Sequence, residues 1–166
     1  MYQSLNGFFA SWEFECDQTK KLFQCLSDEA LQQKITADDR DLGRIAWHLI
    51  ISIKELMNHT GLNIEAPEEE EIIYSASVII QEYENTCESL KKEIYTQWTD
   101  QSLQEKNSLF GKEMPNRFFL MTLIRHQIHH RGQITVLMRQ AGLNVPGIYG
   151  PSREEWGALG MKVPKV

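Results

Sequence analysis

Arg125-His126-Gln127-Ile128-His129-His130-Arg131-Gly132-Gln133 places three of the chain's five histidines within five residues. His126 and His130 stand four apart. On a helix they lie about 40° apart around the axis, one turn above the other. Two imidazoles so placed can grip one transition-metal ion, the spacing that helical zinc sites use. His129 falls about 60° to the other side of His126, so one ion cannot take all three. It is expected to support the site, touch a substrate or face solvent. A metal site needs at least one further ligand. His48, between Trp47 and Leu49 in an apolar stretch far upstream, is the candidate.

A lone histidine on an apolar face is more often a hydrogen-bonded core residue than a ligand. The downstream pair changes that weighting. Three buried imidazoles each need a partner, and one divalent cation serves all three. Three neutral imidazoles also leave positions open for water or substrate, as in catalytic rather than structural sites. Zinc, nickel, iron and copper all accept imidazole, and affinity does not choose among them; zinc and nickel are the first expectation. Gln127 follows His126 where a metalloprotease would need a glutamate, so that mechanism lacks its general base. No GxSxG, P-loop or GxGxxG occurs, which removes the support for serine hydrolase, NTPase and dinucleotide readings. His59, beside Asn58 at a helix end, reads as structural.

Four long amphipathic stretches must position these residues, and no convincing strand pattern accompanies them. The first runs from about Ser4 to Leu26, its apolar positions at helical spacing and Glu13, Glu15, Lys20 and Lys21 between them. A short helix follows from Ser27 to Gln33. The second long helix begins near Asp41 and stops at Gly61, with His48 at its middle. Pro67 and Glu68 to Glu71 mark a loop and a solvated acidic approach to the third, about Tyr74 to Trp98. Phe110-Gly111-Lys112 reads as a tight turn in a small irregular hairpin. Pro115 can open the fourth helix at its first position, which runs from about Asn116 to Ala141 and closes at Gly142. Its apolar residues include Phe118, Leu120, Leu123, Ile128, Ile134 and Val136. The tail, Leu143 to Val166, contains Pro146, Gly147 and Gly150, reads as a short helix over Pro151 to Trp156, and is expected to cross one end of the bundle.

These elements predict an all-α four-helix bundle in one domain over residues 1–166. A composition of 42% hydrophobic and 24% charged residues fits a globular chain. The net charge of -6 argues against a sequence-independent nucleic-acid binder. No apolar run is long enough to span a bilayer, and the N-terminus lacks a basic leader, so a cytoplasmic location is expected. Cys16, Cys25 and Cys87 have neither pairing nor CxxC spacing and read as small apolar residues.

Ala46-Trp47-His48-Leu49, the run from His126 to Gln133, and Leu143-Asn144-Val145-Pro146 together resemble the DinB/YfiT-like superfamily over nearly the whole chain. The resemblance implies an antiparallel four-helix bundle with a long crossover connection. It also implies a divalent metal held by His48, His126 and His130. It further implies a homodimer and a small-molecule substrate: some branches are transferases or isomerases that use a low-molecular-weight thiol, such as bacillithiol. In such an enzyme Arg131 is expected either to bind a carboxylate of the thiol or to lie on the surface. A metal-binding stress-response protein without turnover is the alternative.

Overall fold

A computed structural model describes residues 1–164; the last two residues of the expected tail lie outside them. Each long helix starts where the sequence supplies a partner for its free N–H groups. Ser4 precedes α1 (Leu5–Phe23) and accepts the Gly7 N–H through its hydroxyl, as an N-cap serine does. Asp41 caps α2 (Leu42–Asn58) through the Arg44 N–H at 2.8 Å. α3 (Ala76–Gln97) takes its cap from a distance, the Ala76 N–H donating to Asp28 Oδ1 at 2.7 Å. α4 (Asn116–Gln140) follows Pro115, which sits one position before the helix rather than at its first residue. Buried Asn116 instead begins it, its side chain donating to the Ser102 carbonyl and accepting from Asn107.

The stops are those the glycines predict. Gly61 and Gly142 both have positive φ, the left-handed conformation in which a side chain is disfavoured. After α4 the Gly142 and Leu143 N–H groups return to the carbonyls of Arg139 and Met138.

The architecture is all-α with four long helices. α2 packs principally on α3 and α4, and α1 likewise packs on α3 and α4. α1 and α2 are therefore not principal neighbours, and the connection between them must cross the arrangement. It carries a 3₁₀ turn over Asp28–Gln32, which buries Ala30 and Leu31 against the core. One continuous apolar cluster joins all four helices, with Phe8, Trp12, Leu49, Tyr83 and Phe119 fully buried.

Other details need correction, but the small hairpin expected about Phe110-Gly111-Lys112 is present, with β1 (Lys106–Leu109) antiparallel to β2 (Lys112–Pro115). Strands of four residues are too short to show alternation in sequence. The turn is Phe110-Gly111, both at positive φ, as a type I′ hairpin turn requires. In α4, Ile128 and Val136 are exposed and Phe119 is buried instead. Pro151 to Trp156 forms turns, not a helix. Glu155 accepts the N–H groups of Gly147 and Ser152, which folds this segment back on itself. The tail lies against α1 and α4: Lys21 donates to the Gly147 carbonyl at 2.8 Å, and Arg139 pairs with Glu154.

Candidate metal centre

α2 and α4 form one of the principal helix seams, and the histidines meet across it. Nε2 of His126 lies 3.3 Å from Nε2 of His48 and 3.1 Å from Nε2 of His130. The three residues form a group able to hold a metal ion, each offering one ring nitrogen. His129 is exposed on the next face of α4 and stays outside it. His59 is at the end of α2.

What holds the seam in register is Gln127. Fully buried, it donates to the Leu49 carbonyl at 2.8 Å and accepts the Tyr83 hydroxyl at 3.1 Å. Leu49 follows His48 and Gln127 follows His126, so one amide ties the backbone of α2 to α4 beside both imidazoles. The residue dismissed as a general base is thus a structural clamp. Its signal in the sequence is a polar side chain set about 100° from His126, on the face that points into the bundle.

Geometry and proton chemistry both fit a cation. Three nitrogens each about 2.0–2.1 Å from a tetrahedral ion would stand roughly 3.3–3.4 Å apart, close to the two separations from His126, and all three lie within 4.8 Å of one another. Gln133 Oε1 lies 2.6 Å from His130 Nδ1. That carbonyl accepts the Nδ1 proton and leaves the Nε2 lone pair facing the other imidazoles, the tautomer a metal ligand needs. One proton can bridge one nitrogen pair, whereas His126 Nε2 meets two neighbours, and its Nδ1 is buried with no protein partner.

The electrostatics keep the lone pairs free. Burial, then the neighbouring His130 and Arg40, pull His48 down to about 4. Burial and the surrounding histidines pull His126 down to about 4 as well. Burial lowers His130, with the Gln133 contact opposing it. All three are neutral near pH 7, as ligation requires.

A cavity of about 360 Å³ opens beside His130, between α4 and the 33–41 loop. A larger one, about 640 Å³, runs along α3 among Glu82, Glu88 and Glu93 and is lined by no histidine. The smaller one is lined by a histidine of the cluster.

Arg131 is neither a substrate arm nor a surface residue. It is 2% exposed and turned away from the histidines, its guanidinium paired with the buried Glu15 carboxylate and donating to the Tyr149 hydroxyl. It also donates to the Glu15 carbonyl at 2.9 Å and to Thr19 Oγ1 at 3.1 Å. Glu15, expected on the polar face of α1, is drawn inward by this cation. Cys16 and Cys87 are buried free thiols, and Cys25 is half-buried. Among the described residues no helix is long and apolar enough to cross a membrane.

Comparison with known proteins gives a consistent result. A family model described as the DinB family matches residues 1–162. The chain is 49% identical to the uncharacterised protein YrdA of Bacillus subtilis (strain 168), with both chains covered completely. A DinB-like protein from Bacillus cereus ATCC 10987, known from its crystal structure, superimposes with a TM-score of 0.87 at 45% identity. The match covers 90% of this chain and 100% of that one. The DinB-like protein YjoA of Bacillus subtilis shares the fold, with a TM-score of 0.66 at 18% identity over 86% of this chain and 97% of that one.

Proposed function

The chain belongs to the DinB family, and from that premise we propose a metal-dependent enzyme that brings a low-molecular-weight thiol to an electrophile, with His48, His126 and His130 as the metal ligands. The observation that carries this reading is the convergence of three neutral imidazole nitrogens beside an accessible cavity. A divalent ion there supplies positive charge that favours the deprotonated form of a thiol. The chain's own part is to hold the three lone pairs in place. Gln133 sets the His130 tautomer, and Gln127 fixes His48 and His126 across the seam. The cavity favours turnover over metal binding without turnover, because it offers room for a substrate beside the histidines.

The test begins with metal analysis of protein purified without chelator; near one divalent ion per chain is expected, and less than about one per two chains would remove the basis of the reading. Conjugation of a model thiol to a model electrophile is then measured with and without metal. Activity that persists unchanged in His126→Ala would exclude these histidines from the reaction.

A further inference from the structure

The cavity beside His130 has a composition that the metal reading does not explain. Its walls include the apolar side chains of Ile35, Val136 and Leu137, and its one cation is Arg40. Ile35 is 63% exposed and Val136 51%, so two large apolar side chains face solvent at the mouth of a polar centre. The volume of about 360 Å³ lies at the small end for ligand pockets and suits a small molecule.

The backbone places Arg40 at this cavity, and its side chain is exposed. The loop that carries it is closed by the Leu42 N–H donating to the Gln33 carbonyl at 2.8 Å. The adjacent Asp39 carboxylate lies on the same cavity, yet its Oδ2 accepts from both the N–H and the hydroxyl of Thr36. Arg40 makes no ion pair among the described residues. Its charge reaches all three histidines. The nearby N-terminus of α2 is already capped by Asp41, so a single guanidinium is the anion-binding group. One positive charge with a planar fork of donors matches a monoanionic carboxylate.

We propose that this cavity binds a small amphipathic carboxylate, its carboxylate on Arg40, its carbon chain against Ile35 and Val136, and its other end directed to His130. The inference rests on the metal reading for its purpose, since it names the kind of substrate that centre receives. The binding itself needs no metal. It also gives Arg40 the role that the sequence offered to Arg131.

The test uses metal-free full-length protein and two probes, hexanoate and hexanamide, followed by NMR through amide shifts at Val136 and the side-chain Nε–H of Arg40. Hexanoate is expected to shift both saturably and to bind about tenfold tighter than hexanamide, the advantage of a charge-assisted pair. In Arg40→Met the two probes should bind within about twofold of each other, and Arg40→Lys should restore part of the preference. Equal binding of the two probes by the unaltered protein overturns the proposal, as does a preference that survives in Arg40→Met. A second arm adds cobalt(II) and compares 3-mercaptopropionate with its methyl ester through the visible absorption of the ion. Tighter binding of the acid is expected, against the order that thiol acidity alone would give. No preference there removes the link between cavity and centre. Failure of cobalt(II) to bind at all overturns the metal reading while leaving the hexanoate result to stand or fall by itself.

Discussion

α4 carries two polar clusters one residue apart in sequence and opposite in character. Toward α2 it presents His126 and His130, half-buried imidazoles that meet mainly one another. Toward α1 it presents Arg131, whose guanidinium is matched by the Glu15 carboxylate and carbonyl, Thr19 and Tyr149. Burial and the bond to Glu15 push Tyr149 up to about 12, so its hydroxyl keeps the proton it donates. Both clusters bear the cost of taking polar groups out of water. Only the Arg131 cluster recovers it within the chain. The Arg131 side chain finds its partners in the fold, whereas the imidazole nitrogens converge on one another, an arrangement that a metal ion would complete.

The comparison breaks first at the ionic cluster, where the largest effect is expected. Arg131→Met leaves a carboxylate buried without its cation and should lower stability by about 3–5 kcal/mol in denaturant unfolding. Metal uptake by the folded fraction should be unchanged. Replacing both partners, Glu15→Leu with Arg131→Met, should recover most of the loss, because an apolar pair of similar volume leaves no charge stranded. A single-variant loss below about 1 kcal/mol would place the pair with exposed ion pairs and end the contrast.

On the histidine side the stabilising partner would be an ion from solution. A divalent ion at one hundred times its dissociation constant should raise stability by about 2.7 kcal/mol, read as a rise in unfolding temperature. His126→Ala should abolish that rise. If the ion stabilises His126→Ala as much as the unaltered chain, it binds elsewhere. Gln133→Leu should have a smaller effect. It removes the acceptor that fixes His130 and should weaken metal binding about 10–100-fold in a competition titration, with the fold unchanged.

Much of this contrast could be read in the sequence, and its limits have physical causes. Apolar periodicity, caps and glycine stops located the four helices because those signals are local. His126 and His130 were legible because a four-residue spacing puts two side chains on one helix face, and His48 because it stands in an apolar helical stretch. Glu15 was not, because its burial is caused by a cation 116 positions away, and nothing local marks a charged residue as inward. Arg131 was misread for the same reason. Gln127 drew notice only as a missing glutamate, since its partners, Leu49 and Tyr83, lie on other helices. Arg40 sits in a loop with no periodicity, and its significance depends on where the chain folds back. The hairpin was half legible: its turn residues declared themselves and its four-residue strands could not.

The finest test is acid, because the histidine seam and the Arg139–Glu154 pair that ties the tail to α4 should lose stability in different windows. His48 and His126 titrate at about 4 when folded against about 6.5 unfolded. Between those values the unfolded chain binds more protons, so stability rises with pH. The contribution is complete above about 6.5 and disappears as pH falls toward 4. On the other side, the hydrogen bond from Arg139 holds Glu154 down at about 2. Its contribution is present above the ordinary carboxylate value near 4.5 and is lost as pH falls through 2. Both effects are modest, since solvent screens groups this exposed. They separate by variant: His126→Gln should flatten the slope between pH 6.5 and 4 and leave the lower window intact. Glu154→Gln should do the reverse. Added metal should carry the upper window to lower pH, because protons must then displace an ion as well as occupy a nitrogen. Metal that leaves that window in place would mean the lone pairs facing the seam are not the ones that hold it.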